Sequence, residues 1–177
     1  MWLVGRGSIT SMFHIKLIVH ENIAQDELNE VIRIKSTQWN YPYEEQVQWI
    51  KNNIKDTDIH VLLYFNGKSV AYLNLIDIDL IVSNMSKKGF GIGNVCAIEK
   101  GKGFGFELMK ETNNFILQSN KIGLLFCKEP LLKFYRSLGW KDLASEEYKI
   151  NGDKLEVMIY NVNYNNKILI EYDGIFF

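Results

Sequence analysis

The sequence predicts an α/β chain, more fully an α+β mixed sheet. Two observations carry this. A glycine-rich stretch, "EKGKGFG" (Glu99–Gly105), sits between an apolar run and a helical pattern, and a second apolar run follows. That is a strand–helix–strand unit, whose two strands run parallel. Strand patterns flank it and are joined by tight-turn residues at "NGKS" (Asn66–Ser69) and "NGDK" (151–154). Those turns predict antiparallel hairpins.

The elements follow in order. "MFHIKLIVH" (Met12–His20) is rich in β-branched residues and reads as the first strand. From Gln25 the period changes: Leu28, Val31, Ile32 and Lys35 share one helical face, and Asp26, Glu27 and Glu30 sit near the positive helix start. Pro42 breaks that helix, and Val47, Ile50 and Ile54 mark the next. "DIHVLLYF" and "VAYLNLIDIDLIV" are the arms of the first hairpin, and "SNMSKKG" reads as a polar loop. "FGIGNVCAI" is a strand with two interior glycines, which signal a bulge or a close backbone approach. A helix from about Phe104 to Ser119 comes next, with Leu108, Thr112, Phe115 and Ser119 along one side. "IGLLFC" is a short buried strand, and "PLLKFYRSLG" a short helix with proline at its first turn and glycine at its end. "EYKI" and "LEVMIYNV" are expected to form the second hairpin, and "KILIEYDGIFF" one further strand.

The chain has 177 residues, 47% of them hydrophobic and 23% charged, which suits one domain with a substantial core. Residues 12–177 are taken as that domain, and 1–11 as a disordered N-terminal extension. The net charge of −1 gives no basic footprint for nucleic acid. No apolar run approaches the roughly 20 residues of a membrane span. Cys96 and Cys127 lie in apolar runs and read as buried reduced thiols, as in a cytoplasmic protein. His14, His20 and His60 lack metal-ligand spacing, and no metal is expected.

The glycines at 101, 103 and 105 are the central feature. Glycine costs roughly 0.5–1 kcal/mol inside a regular element, so three together need a reason. A glycine-rich turn into a helix presents several backbone N–H groups to an anion, usually a phosphate. Lys100 and Lys102 add positive charge. A P-loop would need G-x-x-x-x-G-K-[ST], and a dinucleotide fingerprint G-x-G-x-x-G. Neither spacing is present; a third competing reading is a site for the pyrophosphate of coenzyme A.

"VCAIEKGKGFGFELM" (Val95–Met109) resembles the acetyl-coenzyme A loop of the GNAT superfamily of N-acetyltransferases. That pattern is an apolar strand ending in valine, four residues, then R/Q-G-x-G-x-G/A opening a helix. Lys100 stands in the R/Q place, a departure. "LLFCKEPLLKFYRSLGWK" (Leu124–Lys141) resembles the family's strand, helix and "FYxxLGF" segment. The resemblance covers Met12 to about Val162 and implies an acyl-CoA N-acyltransferase fold. Its central sheet would be mostly antiparallel, with about four flanking helices.

The resemblance also implies site residues. The backbones of Val95 and Ala97 would contact acetyl-CoA. The N–H groups of Gly101, Lys102, Gly103, Phe104, Gly105 and Phe106 would hold its pyrophosphate, beside Lys100. Lys128 stands where the family often has asparagine. Tyr135 would be the catalytic residue: its phenol, with an ordinary pKa near 10, can donate to the leaving thiolate. The N–H of Val95 would polarise the thioester carbonyl. No general base is evident; Glu99, Asp77 and Asp79 read as solvated. Trp39, Tyr41 and Tyr43 would wall the acceptor site, where Glu44 or Glu45 attracts a cation.

The implied activity is direct transfer of acetyl from acetyl-CoA to a primary amine of a small molecule. The alternative is a CoA-binding sensor or partner module with lost or weak catalysis. A longer acyl chain is a third reading, if Gly91 and Gly93 open room near the thioester. The terminal segment would add an edge strand or pair with another subunit, giving a homodimer.

Overall fold

The computed structural model describes residues 13–150, 155–163, 168–174 and 176–177. The expected N-terminal extension and the "NGDK" turn lie outside these residues.

β1 (Phe13–Val19) leads through a short 3₁₀ turn to α1 (Gln25–Lys35) and α2 (Tyr43–Asn53). Glu27 starts α1 by accepting a hydrogen bond from the backbone N–H of Ala24 at 2.9 Å. β2 (Ile59–Phe65) and β3 (Lys68–Val82) form the expected hairpin. Asn66 and Gly67 both have positive φ, 49° and 78°, as a type I′ turn requires. β3 runs unbroken through Asp77 and Asp79, and β4 (Met85–Ala97) begins almost at once. "SNMSKKG" is therefore not a loop: Ser83 and Asn84 supply positive φ values of 47° and 68°, and Met85 already pairs with Val82.

α3 (Phe104–Gln118), β5 (Ile122–Cys127), α4 (Leu132–Arg136) and a two-residue strand β6 (Lys141–Asp142) follow. The buried face of α3 is Phe104, Leu108, Met109, Thr112, Asn113 and Ile116, centred further round than the expected stripe through Phe115 and Ser119. β7 (Tyr148–Ile150), β8 (Glu156–Tyr160) and β9 (Ile170–Tyr172) complete the elements. The second hairpin does not form. β8 pairs with β5 and β6, and β7 pairs in parallel with β9. β9 also pairs with the end of β3, so the terminal strand joins the chain's own sheet.

The sheet order is β1-β2-β3-β4-β5-β8-β6, with β9 and β7 attached at β3. Along that order only β4 and β5 are parallel. Val61, Leu63, Leu73 and Leu75 face α3, against Leu108, Met109 and Ile116. Leu62 and Tyr72 face α1 and α2, against Val31, Ile34 and Ile50. With both faces covered, β2 and β3 read as nearly continuous apolar runs. Ile76, Ile78, Leu124 and Ile159 share a further cluster at the β9 end.

Candidate functional site

β4 is where the sheet opens. Its parallel pairing with β5 ends at Ile92↔Leu125. β5 has β8 on its other edge throughout and goes on past this point with β8 alone, Phe126 pairing with Val157 and Cys127 with Glu156. β4 continues to Ala97 with β3 as its only paired neighbour among the described residues. Between Tyr72↔Cys96 and Asn74↔Gly93 the register slips, so Asn94 and Val95 oppose Leu73 alone. Asn94 has φ 54°, the left-handed conformation of a bulge. The result is a free strand edge beside a gap between two diverging strands.

A cleft of about 420 Å³ lies at this gap and is lined by Val95, Cys96, Ala97, Lys100, Gly101, Gly103, Phe104, Gly105, Phe106 and Tyr135, with Gln38 and Glu99 at its side. The chain thus brings the strand end, the glycine loop and the tyrosine to one place. Lys102 turns away, into a neighbouring hollow with Arg33 and Tyr64. Lys128 is exposed at the start of the turn before α4 and is not part of the cleft lining.

The three glycines serve two purposes. Gly101 and Gly103 both have φ 77°, which L side chains rarely adopt, so their backbone conformation requires glycine. Gly105 is helical, and a Cβ there would meet only Phe134 at 3.9 Å. Neither φ nor packing demands glycine at 105. What the missing side chain leaves is open approach to the first turn of α3, where N–H groups carry the positive end of the helix dipole. This cradle fits a pyrophosphate, and the free β4 edge fits an extended amide arm.

Tyr135 is buried, and burial pushes its phenol pKa well up, aided by the neighbouring Cys127 thiol. It is held from behind. Gly139, at φ 84°, closes α4, and the Trp140 N–H returns to the Tyr135 carbonyl at 3.2 Å. The Trp140 indole donates to Asn113 Oδ1 at 3.0 Å, and Asn113 Nδ2 donates to the Leu138 carbonyl at 2.9 Å. Trp140 reaches β5 because Gly123 has no side chain: a Cβ there would lie 2.6 Å from the indole. Arg136 adds a bidentate pair with Asp142 at 2.8 and 2.7 Å.

On the far side of β4 a second pocket is lined by Lys35, Trp39, Tyr41, Glu45, Gln46, Trp49, Asn94 and Phe177. Asn94 lines this pocket and Val95 lines the cleft, so the two sites meet at the bulge. Gln46 shapes the pocket by donating to the Trp39 carbonyl at 2.6 Å. Thr37 ties the end of α1 to the Ala97 carbonyl at 3.2 Å. Trp39 and Tyr41 lie in the wall. Tyr43 does not: its hydroxyl donates to Asn29 Oδ1 at 2.7 Å and accepts from Gln25 at 3.0 Å, on the outer side of α1 and α2. The space over Gly91 and Gly93 is filled by Phe177, so these glycines admit an aromatic ring rather than a longer acyl chain.

Asp77 pairs with Lys121 and Asp79 with Lys88, both outside the cleft. Burial raises the Cys96 thiol to about 12 and the Cys127 thiol to about 11, so neither is primed as a nucleophile. Among the described residues no group of three His, Cys, Asp or Glu could hold a metal, and no helix is long and apolar enough to cross a membrane.

Trp49, Phe177 and Asn113 carry no local motif, and sequence patterning passed over them; Trp140 ends the "FYRSLGW" segment, but that pattern did not reveal its bond to Asn113. Lys35 did leave a signal, a lysine within the apolar face of α1.

No family model matches the sequence, and no curated protein matches it. Solved structures do. Escherichia coli ElaA aligns over 84% of this chain and 98% of its own, at 18% identity and TM-score 0.60. An acyl-CoA N-acyltransferase from Pseudomonas aeruginosa covers 84% of this chain and 97% of its own, at 16% identity and TM-score 0.58. The GNAT family N-acetyltransferase YhbS of Escherichia coli, in complex with CoA, covers 94% and 92%, at 9% identity and TM-score 0.63. The mixed sheet that parts at β4 and β5, the glycine turn into α3 and these likenesses agree: this chain has the GNAT acyl-CoA N-acyltransferase fold.

Proposed function

We propose that this chain is an N-acetyltransferase that moves acetyl from acetyl-CoA to the primary amine of a small molecule, directly and within a ternary complex. The observation that carries this is the single cleft joining the free β4 edge, the glycine cradle and Tyr135. CoA, when bound, would supply the activated acyl thioester and a thiolate leaving group.

The chain's own residues have distinct tasks. Gly101, Gly103, Gly105 and the first turn of α3 bind the pyrophosphate through N–H groups, with Lys100 adding charge. Val95 and Ala97 would align the pantetheine arm along the strand edge, and the Val95 N–H would polarise the thioester carbonyl. Tyr135 stays protonated because burial disfavours its phenolate. A thiol has an ordinary pKa near 8.5, far below that of this phenol, so Tyr135 steadies a thiolate by hydrogen bonding rather than full proton transfer. Cys96 and Cys127 remain thiols, which favours attack by the amine itself over a cysteine-bound acyl group.

The test is calorimetric titration of acetyl-CoA into the wild type and a Gly103→Glu variant, then turnover on an amine panel. Binding by the wild type alone, followed by turnover, supports the reading. Binding without turnover on any amine favours a CoA-binding module instead. No binding by the folded wild type rejects both.

A further inference from the structure

Lys35 is only 3% exposed, yet it appears in none of the ion pairs or side-chain hydrogen bonds among the described residues. Its Nζ lies 3.8 Å from the centroid of the Trp49 ring and lines the pocket beyond β4. Trp39, Tyr41 and Phe177 make the rest of that wall largely aromatic. The charged or titratable groups around it are few. Glu45 stands on α2 in the same lining without pairing to Lys35, Cys96 faces it from β4, and His60 lies on β2. A buried ammonium without a counterion is costly, and a cation–π contact only partly offsets that cost. Burial lowers its pKa to about 8, so the charge persists at neutral pH and lacks a partner.

We propose, resting on the acyl-transfer reading above, that this pocket holds the acceptor by a carboxylate paired with Lys35. Acceptors are then apolar or aromatic amines that carry one carboxylate. A single ammonium among aromatic rings matches a monoanion. A phosphate dianion would call for a fork of donors, and the lining has no arginine. Asn94 brings the pocket to the bulge, so an amine anchored at Lys35 can point toward the cleft.

The experiment titrates acetate, phenylacetate and indole-3-acetate, each beside its neutral amide, into the full chain. At least one acid should bind about tenfold more tightly than its amide at pH 7. Lys35→Met, checked for folding by circular dichroism, should bring that ratio to within about twofold. In the wild type the ratio should fall between about pH 7 and 9.5 as the ammonium deprotonates. A ratio near one in the wild type, or one that survives in Lys35→Met or at high pH, overturns the carboxylate site. Acetyl-CoA titrated separately reports on the glycine cradle. If acetyl-CoA binds while the acid preference is absent, this inference falls alone. If acetyl-CoA fails to bind while the preference holds, the acyl-transfer reading falls and takes the acceptor role with it.

Discussion

The ring of Phe177 occupies the space that a side chain on Gly91 would need. The contact joins the last residue described to the middle of β4, and it closes one side of the pocket beneath the bulge. A Cβ on Gly93 would also lie 3.2 Å from the Phe177 backbone. Overpacking a filled site typically costs 1–3 kcal/mol. Gly91→Val should therefore destabilise the protein by about that much, and Phe177→Ala should relieve most of it. A double-mutant cycle in urea would then show a coupling of roughly 1 kcal/mol or more. Additive effects would mean that the ring does not rest there in solution.

Gly105→Ala should raise stability and leave ligand binding nearly unchanged. The position is helical and the new methyl would meet only Phe134 at 3.9 Å, so folding should gain about 0.5–1 kcal/mol. Acetyl-CoA binding should stay within about twofold, since the pattern this loop resembles admits alanine at the third place and a methyl leaves the N–H groups of the proposed cradle open. Thermal melts and calorimetry read the two effects separately.

Tyr135→Phe should lower kcat about 10- to 100-fold and leave acetyl-CoA affinity nearly unchanged. Because burial raises the phenol's pKa, the wild-type rate should show no alkaline fall below about pH 10 that the variant removes. Steady-state kinetics across pH would check both points.

His60 is fully buried, hydrogen-bonded to His20 at 2.9 Å and to the Tyr72 hydroxyl at 2.8 Å. Burial and the neighbouring His20 and Lys35 lower its pKa from 6.5 to about 3. The unfolded chain therefore takes up a proton that the native state refuses. This contribution is full above about pH 6.5 and is lost as pH falls toward 3, at a limiting slope of about 1.4 kcal/mol per pH unit. Urea melts between pH 7 and 4.5 should show that loss, and it should be shallower in His60→Gln.

Lys35→Met should stabilise the protein at pH 7. The native pKa of about 8 lies below the ordinary value of 10.5, so the folded state bears an ammonium it disfavours. Removing it should gain about 1–3 kcal/mol. Above pH 8 the wild type sheds that proton on folding and gains stability up to about pH 10.5, so the difference should narrow. A lower Tm for the variant at neutral pH would show that Lys35 supports the fold.

Local chemistry was enough to read much of the fold and cleft from the sequence. The hairpin at Asn66–Gly67 follows from turn residues that accept positive φ, and α1 and α2 follow from apolar spacing. The turn into α3 follows from glycines at alternate positions, two of which do adopt positive φ. "SNMSKKG" misled because polar residues at an exposed strand end look like a loop, and only the positive φ of Ser83 and Asn84 makes the tight turn. The second hairpin misled because neighbours in sequence need not pair.

By itself the sequence determined most of the strand and helix segments, the left-handed turns at Gly67, Gly101 and Gly103, and that Lys35 shares the buried face of α1. Those properties depend on a residue and its near neighbours. Only the tertiary structure decided that β4 parts from β5 after Ile92, that β9 joins β3 and β7, and that Tyr43 points away from the pocket while Trp49 and Phe177 enter it. Those outcomes turn on which distant surfaces bury one another, and no short stretch of sequence carries that information.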